Sequence, residues 1–173
     1  APGILDNQPF DQPLFVRGDH KKPGDPVPRR FLEAIDDTPY PKNSLGRLEY
    51  AEDIVRPDNP LVARVIVNRI WHHLFGRGLV GTPDNFGRLG EQPSHPELLD
   101  YLAEGFREHN FDMKWLHREI CKSETYQRGW KPNTTNQHDD RNFGRAVARR
   151  IPAEVIYDAV RTATAGDREA MEL

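Results

Sequence analysis

The stretch that decides the fold is Asn59-Pro60-Leu61-Val62-Ala63-Arg64-Val65-Ile66-Val67-Asn68-Arg69-Ile70-Trp71-His72-His73-Leu74-Phe75-Gly76. Asp58-Asn59 offers capping side chains ahead of a first-turn proline, and no breaker follows until Gly76, so the pattern predicts a helix over 61–75. Its apolar residues cover nearly the whole circumference: Ala63, Ile66, Val67, Ile70, Trp71 and Leu74 on one wide arc, and Leu61, Val62, Val65 and Phe75 elsewhere. Such a helix belongs in the middle of a domain.

Working outward, Ser44 predicts a cap for a helix through about Val55, stopping before Pro57. Ser94, with Pro96 in the first turn and Glu97 at the capping-box position, predicts a helix to about His109 with Leu98, Leu99, Leu102 and Phe106 as its apolar stripe. Asp112 predicts a cap for a further helix from Met113 to about Lys122. Beyond the polar stretch Lys131–Arg141 come two more helical candidates, the second running from Pro152 to about Ala165 and stopping at Gly166. The long connection Gly76–Pro93 carries five glycines with Leu79, Val80, Phe86 and Leu89 between them. Loops beyond about 12–15 residues are usually functional or disordered, and the interleaved apolar groups predict an ordered one.

Prolines crowd the first forty or so residues, each removing a donor and disfavouring helix at the residue before it. Residues 1–43 therefore read as an extended Pro-rich N-terminal arm and 44–173 as a helical domain. Within the arm, Leu14–Arg17 reads as a strand or packed extended piece, and Arg17-Gly18-Asp19 as a turn. The fold class is mainly α: an irregular multi-helix bundle with an extended arm and a long ordered Gly-rich loop.

With 173 residues, the chain has room for one ordinary domain. Its mean hydropathy of -0.78 and 29% charged residues predict a modest core under much solvated surface. A formal charge of -3 creates no field to gather nucleic acid or an anionic membrane, and no apolar run approaches the roughly 20 residues of a membrane span. One cysteine excludes an internal disulfide framework.

The polar groups of the central helix are its oddity. Arg64, Asn68 and His72 fall at i, i+4 and i+8, with Arg69 and His73 on a neighbouring line. Buried polar groups must be hydrogen-bonded, so the structural reading has Arg64, Asn68 and Arg69 tying down loop carbonyls and carboxylates such as Asp84 or Glu91. The functional reading is an anion or sugar site, with arginine forks and a stacking face from Trp71 or Trp115. The candidate binding residues are therefore Arg64, Asn68, Arg69, Trp71, His73 and His95, of which the structural reading claims the greater share.

Other chemistries are thinner. His117 and Cys121 share a helical face but make only half a metal site, without a second cysteine or a His-Glu-x-x-His, so no metal is expected. There is no Gly-x-Ser-x-Gly elbow and no P-loop, and Ser94 is explained by capping. Asp84, Glu91 and Glu97 could supply a glycosidase pair only at a separation the sequence does not give. Asn133-Thr134-Thr135 matches a glycosylation acceptor and marks a surface loop.

The central motif, with Phe75-Gly76-Arg77-Gly78-Leu79-Val80, Phe86-Gly87 and Pro93-Ser94-His95-Pro96-Glu97-Leu98-Leu99-Asp100, resembles DUF1553, the PSD1 domain of planctomycetes. Phe15–Asp19 with Pro23-Gly24, Leu116-His117-Arg118 with Ser123–Tyr126, and Ile151–Ala159 look similar too. The resemblance implies part of a large secreted or envelope-associated bacterial protein, periplasmic or extracellular, often beside a DUF1549 domain and a c-type cytochrome-like domain. It also implies that the helical domain is cut short at its C-terminal end. Without Cys-x-x-Cys-His, any haem would belong to a separate domain, and no cofactor is expected here. No family activity carries over. The expected function is non-catalytic docking or binding, to a partner domain or a glycan; the alternatives are part of an extracellular polysaccharide-degrading enzyme or a scaffold for a cytochrome domain.

Overall fold

A computed structural model of the chain describes residues 8–164. Two short antiparallel strands, β1 (Pro13–Phe15) and β2 (Pro23–Pro26), precede five helices: α1 (Arg47–Val55), α2 (Leu61–Phe75), α3 (Pro96–Glu108), α4 (Met113–Lys122) and α5 (Ala153–Thr164). The protein is mainly helical with one small sheet.

α2 spans the residues its sequence predicts. Asn59 lies just before it, 3% exposed, and accepts from the Leu61 N–H at 3.0 Å while its amide donates to the carbonyls of Asp53 and Ile54. One side chain thus serves the open ends of two helices, satisfying donors of α2 and acceptors of α1. At the other end Gly76 takes φ 87°, a left-handed conformation that glycine reaches without Cβ strain, and its N–H closes on the His72 carbonyl.

α3 packs chiefly on α2, and α4 closes the third side. Val67, Trp71, Leu99, Leu102, Phe106, Leu116 and Ile120 meet there, all essentially removed from water. The turn between α3 and α4 uses two left-handed residues, Asn110 and Phe111, so that the Phe111 N–H reaches back to the Phe106 carbonyl and its ring meets Phe106 edge-on at 5.2 Å. Asp112 caps α4 through the Lys114 N–H at 2.8 Å, as its position predicts.

Several boundaries differ from expectation. α1 begins at Arg47 after Gly46, because Ser44 spends its hydroxyl one turn earlier on the Gly46 N–H. α3 has His95, not Ser94, at its N-cap, and no side chain caps it: the Ser94 hydroxyl and N–H both turn to the Leu79 carbonyl. The first helical candidate after Arg141 does not form. Phe143 there adopts φ 54°, which no right-handed helix accommodates. α5 forms as predicted through Thr164; its expected stop at Gly166 lies outside the described residues.

The arm is not simply extended. It folds back as the β1–β2 hairpin, whose tip is a 3₁₀ turn over Val16–Gly18, so Arg17-Gly18-Asp19 is the turn expected of it. Arg29 anchors the arm by donating to Asp11 and to the carbonyl of Ser44. Arg56 gathers Asp58, Asp36 and Asp53 at 2.5, 2.6 and 3.4 Å, joining arm, α1 and the start of α2. Asp36 is held down to about 2, first by the Thr38 backbone N–H and then by Arg56, and Asp58 is held low chiefly by Arg56. Both acids ionise more readily folded than unfolded, so their contribution is complete above about pH 4 and disappears as pH falls toward their folded values. We expect the urea midpoint to drop between about pH 4 and pH 2, and Arg56→Gln to make that drop shallower; an equally steep drop in the variant would remove Arg56 as its cause.

Candidate functional site

Asn68, in the middle of α2, is wholly buried. Its amide donates to the Val80 carbonyl at 3.0 Å and its oxygen accepts from the Val80 N–H at 2.8 Å, so one side chain pairs with a loop residue as a neighbouring strand would. Gly78 permits the approach. A Cβ there would stand 2.5 Å from the Val80 oxygen and 2.7 Å from the Asn68 oxygen. Leu79 and Val80 are thereby held in the core, and the Ser94 contacts to Leu79 close the far end of the loop.

The arginines divide among carboxylates. Arg64 pairs with Asp100 on α3 at 2.7 Å and donates to the Pro60 carbonyl. Arg69 reaches Asp84 at 3.0 Å and Arg77 reaches Glu91 at 3.0 Å, tying both shoulders of the loop to α2 and its exit. The Arg69–Asp84 pair is well exposed, 57% and 87%, and pairs of that kind contribute about 0–1 kcal/mol. Glu97 lies exposed in the first turn of α3.

Trp71 presents no open face. It is 2% exposed, stacked on Phe75 at 4.2 Å and met edge-on by Phe143 at 5.2 Å; its Nε1 has no hydrogen-bond acceptor among the described residues. His73 is exposed on α2, while His95 is half-buried beside the Ser94 hydroxyl at 3.0 Å and 5.9 Å from the Phe143 ring. The six residues singled out by sequence are therefore distributed around α2 and the start of α3: Asn68 and Trp71 in the core, Arg64 and Arg69 in separate ion pairs, His73 and His95 at different exposures. Trp115 is half-buried and stacks on His109 at 4.2 Å. His117 donates from Nδ1 to the Met113 carbonyl, and among the described residues no group of three or more His, Cys, Asp or Glu side chains could hold a metal ion. No helix among them is long and apolar enough to cross a membrane.

Two clefts lie at the C-terminal end of α2, where residues 125–149 fold against it. Phe143 carries that segment into the core, 8% exposed, against Trp71 and Phe75. Arg149 returns to donate to the His73 and Leu74 carbonyls, acceptors that the helix end leaves open. On one side of this strap is a cleft of about 280 Å³ over Phe75, Tyr126 and Phe143; on the other, one of about 390 Å³ beside His72, Gly76 and Arg77. Asp140, Val147 and Arg149 line both. Sequence reasoning did not single these residues out: it placed Asp140 in the polar stretch Lys131–Arg141 and expected helix beyond it, where Val147 and Arg149 lie. The usable signal was Asn142-Phe143-Gly144, a lone aromatic between turn formers, which suits a pinned loop better than a helix.

A family model described as PSD1, a protein of unknown function (DUF1553), matches residues 46–172. No curated protein and no solved structure matches.

Proposed function

The chain belongs to the PSD1 (DUF1553) family, and from that premise we propose that it is a non-catalytic docking module, joined through α5 to another folded domain. One observation carries this reading. α5 is amphipathic, with Val155, Ile156, Ala159, Val160 and Ala163 on one face and Glu154, Asp158 and Arg161 on the other, yet none of its residues is buried. Val155, Ile156 and Val160 are each half exposed or more, and a helix of this pattern gains its stability by burying such a face. By contrast, three polar side chains of α2 are committed to structure: Asn68 to Val80, Arg64 to Asp100 and Arg69 to Asp84.

On this reading the partner is another domain of a large envelope or extracellular protein, DUF1549-like or cytochrome-like in kind. Photo-crosslinkers placed at Val160 and, as control, at Glu154 on the opposite face test it in cells that make the protein. Docking requires one defined domain, identified by mass spectrometry, to be labelled from position 160 and not from 154. Equal labelling from both positions, or none from 160, would sink the proposal.

A further inference from the structure

We propose that the two adjoining clefts beside Arg149 bind a neutral carbohydrate, with Asp140 accepting hydrogen bonds from its hydroxyls and Tyr126 and Phe75 carrying its apolar face. The inference stands apart from the docking reading, since it uses no residue of α5.

Charge comes first. The wall of the smaller cleft contains Asp139 and Asp140 together with Arg145 and Arg149, so its formal charges cancel; in the larger, Arg77 is paired with Glu91, which leaves Asp140 and Arg149 as a further balanced pair of charges. Three of the four in the smaller cleft are already engaged. Asp139 accepts from the backbone N–H groups of Arg141 and Asn142 and from the Asn142 side chain; Arg145 donates to the carbonyls of Asn136 and Gln137; Arg149 caps α2. Asp140 makes no hydrogen bond or ion pair with any described residue, and it borders both clefts. Beside it the hydroxyls of Tyr126 and Thr125 are also unengaged among the described residues.

In the smaller cleft the uncommitted polarity thus consists of a carboxylate, which only accepts, and two hydroxyls, which accept and donate; the larger adds the His72 imidazole, which can do either. The rest of the surface is apolar, with Leu74, Ala146 and Val147 beside three rings: Phe75 meets Tyr126 and Phe143 edge-on at 5.6 and 5.3 Å, and Tyr126 remains 40% exposed. A ligand fitting this set must offer several hydroxyl donors on its rim and C–H surface on its face, which is the description of a sugar ring. A purely apolar ligand would leave Asp140 desolvated without a donor, at a cost of several kcal/mol. The volumes, about 280 and 390 Å³, lie near the lower end of the roughly 300–1,000 Å³ of small-molecule sites, room for a short saccharide rather than a broad polymer face.

The site is also held in shape. Phe143, buried in a left-handed conformation, fixes the segment that carries Asp140 and Arg145, and Ala146 donates to the Gly129 carbonyl at 3.1 Å beyond it. Preformed walls reduce the ordering cost of binding.

Ligand-observed NMR on the intact chain tests the proposal with a panel of neutral gluco-, galacto-, manno- and xylo-oligosaccharides, with heparin fragments and spermidine as charged controls. At least one neutral saccharide should bind, and Asp140→Ala should weaken it by roughly ten-fold or more, the loss expected for a hydrogen bond to a charged group. Tyr126→Ala should weaken it similarly, Tyr126→Phe less, and Glu124→Gln not at all. Asp140 is exposed, so its variant should melt where the parent does, which keeps the test valid even if Tyr126→Ala unfolds. The proposal is overturned if no neutral saccharide binds, if binding survives Asp140→Ala, or if only the charged controls bind. None of these outcomes bears on labelling from α5.

Discussion

Asn68→Ala should lower stability by about 2–6 kcal/mol, the cost of leaving two buried backbone groups unpaired at about 1–3 kcal/mol each. The side chain is fully buried and its two bonds to Val80 have no other source among the described contacts. For a domain of ordinary stability, about 5–15 kcal/mol, that is a large share. Asn68→Asp should not restore it: a carboxylate can accept from the Val80 N–H but meets the Val80 carbonyl with like polarity, and carries a charge into the core. Gly78→Ala attacks the same contact from the loop side, so the double variant should cost less than the sum of the singles. Urea unfolding measures all of this. A loss under about 1 kcal/mol for Asn68→Ala, no more than that expected for the exposed Arg69→Ala, would show that the loop is held by something else.

Phe143→Ala should cost about 3–5 kcal/mol, since it removes a buried ring that touches Trp71, Phe75 and His95. The more pointed comparison is Phe143→Gly. At an ordinary position glycine is worse than alanine by roughly 0.5–1 kcal/mol, but at φ 54° the alanine Cβ is itself strained by about 1–2 kcal/mol. Glycine should therefore equal or exceed alanine here, a reversal of the usual order. If Phe143→Gly is the less stable, the segment has relaxed out of its left-handed turn once the ring is gone. In both variants amide exchange across 139–147 should accelerate, because the ring is what fixes that segment to α2.

The helices were legible where the signals are local. α2 and α4 follow from a proline or aspartate start and an unbroken apolar period, and Asp112 and Gly76 do what their positions predict. The structural reading of the α2 polar stripe also had visible grounds, since an apolar helix cannot hold Asn68 without giving it partners, and Asp84 lies within reach of Arg69. What was not legible depends on distant contacts. Ser94 had two uses for its hydroxyl, and only the folded loop shows that Leu79 takes it. Residues 142–150 have tolerable helical composition, but burial of one phenylalanine outweighs that propensity. The clefts follow from that override, so no spacing in the sequence announces them. The apolar stripe of α5 was fully legible, whereas its exposure was not, because periodicity reports that a face exists and says nothing of what covers it.

The contact from Arg149 to His73 spans 76 residues, which gives the fold a temporal order. During synthesis at roughly 5–20 residues per second, about 4–15 s separate the emergence of the last turn of α2 from that of the guanidinium that seals it. In that interval α3 and α4 can already dock, since every residue they need has left the ribosome, while the carbonyls at the end of α2 are served by water. The strap is then laid down after α3 and α4, and the recesses on either side of it come into being only once Arg149 has emerged.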